Sequence, residues 1–430
     1  MRSLSIFVTS LLLLWLNSPA AGQTHVSENR VHAPAATTAA AAVQNIKRES
    51  FDEIIYLGNL QRTGVYQSKA VAQFNKSEAL SPRLFKLNLA KVEHQGDWYN
   101  FGGRSVYLGD SYELPTTFNI SAPLFANNII YFKVDNYSNW ESYLYAVDAS
   151  TGQLKWKFKA TKGLVSLPTV AEGVLYLGAG DGLFYAVDPV TQKVKWKSSS
   201  GDQSWVATSP VVAGGMVFFG SDNNIFYALD AQTGKTQWEY DAHGQILCEA
   251  PAVFGDTLYL CTYGGDVLAM NMKTGREKWK FHTKEGAISL TLADGILYFR
   301  DGKGHIQTLD AANGKSSAPV RKEHRTGTPL AVRDKTIYFG GWLKGNTFAI
   351  DALTQRKKWE YDNPGSCSTP IIAENIVYVT CSDQRLYALD ATTGEKLWTT
   401  KRYQAALSAP IIAHGVIYFI SEDGYLQAVR

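Results

Sequence analysis

Four cysteines, at positions 248, 261, 367 and 381, are the residues whose type and spacing first suggest chemistry. Cys248 with Cys261, and Cys367 with Cys381, each bracket a short stretch of two alternating apolar runs around a turn. Each pair is nearly symmetric about its turn, so its sulfurs are expected to face each other across a hairpin and form a disulfide; buried thiols are the alternative. Cys-x-x-Cys does not occur and the eight histidines show no metal-ligand spacing, so zinc is not expected. No Gly-x-Ser-x-Gly elbow occurs either. Gly178-Ala179-Gly180-Asp181-Gly182 joins two strand-like runs where a phosphate loop needs a following helix, so it reads as a hairpin turn. No catalytic set assembles from these residues.

The elements that carry them repeat. A unit recurs in which two alternating runs lead to a third ending in Asp: Leu144-Tyr145-Ala146-Val147-Asp148, Phe184-Tyr185-Ala186-Val187-Asp188, Phe226-Tyr227-Ala228-Leu229-Asp230 and Leu386-Tyr387-Ala388-Leu389-Asp390. Weaker copies end at Asn271, Asp310, Asp351 and Arg430, giving steps of 39 to 42 residues and eight copies in all. A sheet of this size cannot bury both faces alone, so the units are expected to stack into an all-β, eight-bladed propeller of four-stranded antiparallel blades spanning 51–430.

After most of these ends comes a turn, as in Thr151-Gly152 or Thr233-Gly234, and then a tryptophan eight residues on: Trp156, Trp196, Trp238, Trp279, Trp359 and Trp398. Glycine supplies positive φ in such turns, and the indoles are expected to pack between blades. Blade five departs, with Ala318-Pro319 where Trp is expected and Thr291 where other blades carry Pro. The last copy stops one strand short at Arg430, and Pro82–Leu89 alternates like a fourth strand, so this segment is expected to complete blade eight and join the two ends of the ring.

At the start, Arg2, the apolar run from Leu11 to Leu16 and small residues up to Gly22 read as a signal peptide over 1–22, followed by an Ala-rich disordered spacer over 23–50. The apolar run is shorter than a membrane span, and no cysteine precedes Cys248, so neither a spanning segment nor a lipid anchor is expected. The formal charge of +3 is spread without a basic run, which argues against nucleic acid. An exported monomer, periplasmic or extracellular, is the expectation.

The Tyr-Ala-Val-Asp, Thr-Gly and Trp pattern resembles the pyrroloquinoline-quinone-type propeller repeat with its tryptophan docking motif, and Leu57–Gly64 is similar to the lead-in before the first blade of such proteins. The resemblance implies one of two roles. One is that of a non-catalytic scaffold of outer-membrane protein assembly. The other is a quinone-dependent dehydrogenase; this chain lacks the adjacent cysteine pair and the Cys-x-x-Cys-His haem site found in many of those.

In an up-and-down blade, the loops between blades and the turns between second and third strands share one face. The enlarged linker from Ala90 to Asn119, with Trp98, Tyr99, Phe101 and Arg104, falls there, as do Trp140, Trp205 and Trp342. The repeat requires none of these aromatics. With Arg104 they are suited to grip another envelope protein or a peptide segment, and a carbohydrate-binding role would use the same groups. Glu249 occupies a first-strand position that is Ser121, Ser166, Thr208, Ser368 or Ser408 in other blades. Under the dehydrogenase reading it would help hold calcium beneath pyrroloquinoline quinone; under the scaffold reading no cofactor is needed.

Overall fold

The computed structural model describes residues 118–429 except 137–140, 161–162, 165, 202–203, 205, 207, 244–249, 319, 321–322, 342–344, 404–407 and 422–424. It also describes the backbone of four earlier strands: β1 (Val65–Tyr66), β2 (Lys86–Asn88), β3 (Trp98–Phe101) and β4 (Arg104–Tyr107). The expected signal peptide and spacer lie outside the described residues. Those described contain strands and no helix, and so no helix long and apolar enough to cross a membrane.

Eight blade sheets follow one another along the chain, each built on an antiparallel meander. Apolar clusters fill the space between successive blades. Leu124, Tyr131 and Trp156 of blade one meet Leu175 and Leu177 of blade two, and Ile371 and Tyr378 of blade seven meet Ile412 and Phe419 of blade eight. Blade eight in turn packs Ile411, Tyr418 and Leu426 against Phe125, Phe132 and Tyr145 of blade one, which closes the ring. Each fully buried side chain of this size contributes roughly 1.5–3 kcal/mol by leaving water. The first strands of neighbouring blades touch from blade two through blade seven and again from blade eight to blade one, which puts them at the inner wall.

The expected closure of blade eight is present: β2 pairs antiparallel with Tyr425–Val429, Lys86 opposite Gln427 and Asn88 opposite Tyr425. The sheet therefore has its fourth strand from the other end of the chain.

Strand register explains the repeat's letters. The alanine of each Tyr-Ala-Val-Asp lies opposite the tryptophan of the next strand: Ala146 with Trp156, Ala186 with Trp196, Ala228 with Trp238, Ala388 with Trp398. Only a small side chain leaves room for an indole there, and a bulge follows immediately in each ladder. The indole N–H then reaches the next blade, where it donates to the carbonyl just after the strand-ending residue: Trp156 to Pro189 at 2.7 Å, Trp196 to Ala231, Trp238 to Met272, Trp279 to Ala311 and Trp359 to Ala391, each at 3.0 Å.

Blade five shows the converse. Without a tryptophan it carries Thr308 at the alanine position, and its fourth strand shrinks to a bridge between Leu309 and Ser316 beside a three-stranded sheet. Its register also corrects the proline alignment. Ala293 pairs with Ile296 as Ala126 pairs with Ile129, so the residue in Pro123's place is Leu290 rather than Thr291. Thr291 instead donates its hydroxyl to Leu330 of blade six at 3.1 Å.

Candidate functional site

The face formed by interblade loops and second turns is held by the repeat itself. The strand-three tyrosine reaches up to it: Tyr185 donates to Asp181 at 2.7 Å, Tyr387 to Asp383 at 2.6 Å, and Tyr227 to the Ser200 carbonyl at 2.7 Å. Burial, and then the carboxylate it donates to, push the phenols of Tyr185 and Tyr387 well above their ordinary range, so these bonds keep their proton at any physiological pH. In blade five Gln307 takes that place and donates to buried Asp301 at 3.1 Å. Asp301 also accepts from the amides of Lys303 and His305, and from His305 Nδ1 at 3.2 Å. The turns on this face are thus tied to rigid strands.

Of the hydroxyls that share Glu249's repeat position, all but that of buried Ser166, which makes no hydrogen bond, have a structural task. The amide of Lys133 donates to Ser121, Gly220 to Thr208, Gly340 to Thr328, Thr380 to Ser368 and Ile420 to Ser408, at 2.8 to 3.2 Å. Four of these hydroxyls donate onward to the carbonyl of the following residue. They satisfy backbone where the strand begins, a role the sequence did not reveal. Glu249 itself lies outside the described residues.

Cys367 and Cys381 form the expected disulfide, directly opposite one another at the entry to blade seven. In blade four the second cysteine of the expected pair stands in a different register. Phe254 pairs with Thr257 as Ala373 pairs with Ile376, which puts Cys261 at the repeat position of Thr380, one residue before that of Cys381. Cys261 is fully buried, and Cys248 lies outside the described residues.

Of the expected aromatic face, Trp98–Phe101 and Arg104–Tyr107 form a two-stranded antiparallel hairpin, β3 with β4, in which Trp98 opposes Tyr107 and Phe101 opposes Arg104. It is inserted between the strand that closes the ring, β2, and the first strand of blade one, Phe118–Ile120. Trp140, Trp205 and Trp342 lie outside the described residues. One aromatic on this face was missed: Tyr263, in the second turn of blade four, is 51% exposed. Its signal was an aromatic followed by Gly264-Gly265 where the fold demands no ring. Lys303 and Glu285, paired at 2.6 Å, sit on the same face in the adjoining blade.

A family profile described as outer membrane protein assembly factor BamB matches residues 141–280 and 244–430. The outer membrane protein assembly factor BamB of Nitrosomonas eutropha is 24% identical over 287 residues, 62% of this chain and 58% of the relative, so the chain spans less than two thirds of that protein's length. Among solved structures, BamB from Moraxella catarrhalis superposes with a TM-score of 0.58 at 16% identity, covering 82% of this chain and 98% of the other. Quinohemoprotein alcohol dehydrogenase from Comamonas testosteroni gives 0.63 at 15% identity, covering 91% and 83%. At these identities the structural likenesses speak for the fold alone.

Proposed function

The chain belongs to the family of the outer membrane protein assembly factor BamB, and on that premise we propose that it is an exported, non-catalytic propeller that binds envelope proteins through its loop face. The observation that carries this reading is the family match, which runs from the third strand of blade one through blade eight. The hairpin β3–β4 supports it, because Trp98, Tyr99, Phe101 and Arg104 fall in one short paired element between the ring-closing strand and blade one in the chain order. Aromatic and Arg side chains on a rigid frame offer large contact area at small entropic cost. Tyr263 extends the aromatic surface to blade four.

The dehydrogenase reading would require calcium and a quinone near Glu249. Calcium takes six to eight oxygen ligands. The hydroxyls of Ser121, Thr208, Thr328, Ser368 and Ser408, which share that position around the inner wall, are committed to backbone amides. Among the described residues no group of three His, Cys, Asp or Glu is placed to hold a metal ion. The hydroxyls so committed weigh against such a ligand set and favour the scaffold reading.

The test is complementation. In cells lacking this chain, a variant carrying Trp98→Ala, Tyr99→Ala and Phe101→Ala should accumulate normally yet fail to restore the level of outer-membrane β-barrel proteins. Full restoration by that variant would remove the hairpin from the account.

A further inference from the structure

In blades two to four and six, the first strand is the innermost member of its sheet and its inner edge faces the axis of the ring. Blade seven differs. Its sheet has a fifth member, β1, which lies inside the first strand, Ile371–Ala373, and pairs with it in parallel, Val65 opposite Ile372 and Tyr66 opposite Ala373. The same two residues also adjoin the first strand of blade six, Ala331–Arg333. The chain therefore places part of itself in the axial channel before β2 reaches the outer edge of blade eight.

A parallel strand added to a sheet edge is held by main-chain hydrogen bonds, which any extended peptide can supply. Nothing in the repeat demands this added strand, since blades two, three, four and six are complete with four. Ile371 and Ile372 are packed in the clusters on either side of blade seven, so it is the backbone edge of this strand that β1 covers.

We propose that the inner edge of blade seven is a strand-acceptor site for an extended peptide, and that the chain's own segment at Val65–Tyr66 is its resident occupant. The resident closes the channel at this blade, and its departure exposes the Ile372 and Ala373 backbone to an incoming strand. The site is separate from the loop face, so its failure in the following test leaves the proposed function standing.

The test uses the full chain carrying Val65→Pro and Tyr66→Pro, since proline removes the N–H a ladder needs. Hydrogen exchange of the peptide spanning 368–376 should rise about tenfold, a loss of local protection, while Phe218 and Phe219 in blade three keep theirs. A labelled synthetic peptide of residues 61–70 should bind this variant at least about tenfold more tightly than the parent and restore the lost protection, a scrambled peptide doing neither. Unchanged exchange at 368–376, or equal peptide affinity for parent and variant, would overturn the proposal. If the double-proline chain loses protection in blade three as well, the same measurements are made on a full chain in which residues 61–70 are replaced by Gly-Ser of equal length, and they are read the same way.

Discussion

The phenol of Tyr418, in the last blade, donates to the carbonyl of Ala149, in the first, at 3.2 Å across 269 residues of sequence. The same bond links neighbours elsewhere: Tyr176 to Ala231, Tyr259 to Ala311 and Tyr338 to Ala391, each at 3.1 Å. In those three places the carbonyl also receives the indole of Trp196, Trp279 or Trp359. A tyrosine and a tryptophan of one blade thus converge on a single backbone oxygen of the next, and at the ring joint the tyrosine makes that link.

The glycine four residues after Asp230 serves two needs, which the turn glycine between the first two strands of blade four separates. At Gly234 φ is +71°, and a Cβ would come within 2.4 Å of the Trp196 ring; at Gly255 φ is +61° with nothing within 4 Å. Gly255→Ala should cost only the left-handed conformation, about 1–2 kcal/mol. Gly234→Ala should cost that plus displacement of the indole, about 2–5 kcal/mol in total. Denaturant midpoints of the two variants check the difference, and equal losses would refute the indole's part.

Trp238→Phe keeps an aromatic ring against Phe218 and Phe226 but deletes the N–H that reaches Met272. A loss of about 1–2 kcal/mol is expected. Trp238→Ala also empties the space between blades three and four and should cost about 3–5 kcal/mol. Urea titration of the pair gives both numbers.

The Cys367–Cys381 bridge closes a loop of 14 residues. By the chain-entropy estimate its removal should cost about 2–4 kcal/mol. Cys367→Ser with Cys381→Ser should therefore lower the urea midpoint, and dithiothreitol should shift that variant less than the parent.

The Asp turns predict an acid limb. The hydroxyl and then the amide of Thr233, both bonded to the Asp230 carboxylate, hold its pKa below the usual range, and the amides of Thr191 and Val190 do the same for Asp188. A carboxyl whose folded pKa is depressed contributes stability above its unfolded pKa and loses it as pH falls through the folded value. Stability should accordingly decline below about pH 4. Asp230→Asn, which keeps an accepting oxygen, should flatten that decline at its own site; an unchanged profile would show that the turn does not contribute.

Much of the ring could be read in the chain because its parts are local. Tyr145, Ala146 and Asp148 with Trp156 lie within one hairpin, so their spacing carries the period and the blade count. The closure by Lys86–Asn88 was legible too, since a missing fourth strand and a spare alternating segment leave little choice. Other features depend on partners far apart in sequence. Pairing of Val65 with Ile372 has no local pattern to betray it. The task of the Ser121-type hydroxyls likewise shows only with amide partners such as that of Lys133 in place. Blade five misled by one residue because its bulge, between Ile288 and Thr291, shifts the strand without a proline to mark it. Of the aromatic face, the sequence offered Trp98, Tyr99, Phe101 and Arg104 as part of a long linker without its two paired strands, and overlooked Tyr263.

The most direct test of the protein-binding account is site-specific photo-crosslinking in the source cells, with the photoreactive residue placed at Tyr99 in the β3–β4 hairpin or Tyr263 in the second turn of blade four, and at Val190 or Leu353 in the exposed turns opposite Tyr263. The account predicts discrete crosslinks to subunits of the outer-membrane protein assembly machinery from Tyr99 or Tyr263 and none from the opposite turns. Crosslinks from Val190 and Leu353 with none from Tyr99 or Tyr263 would contradict it.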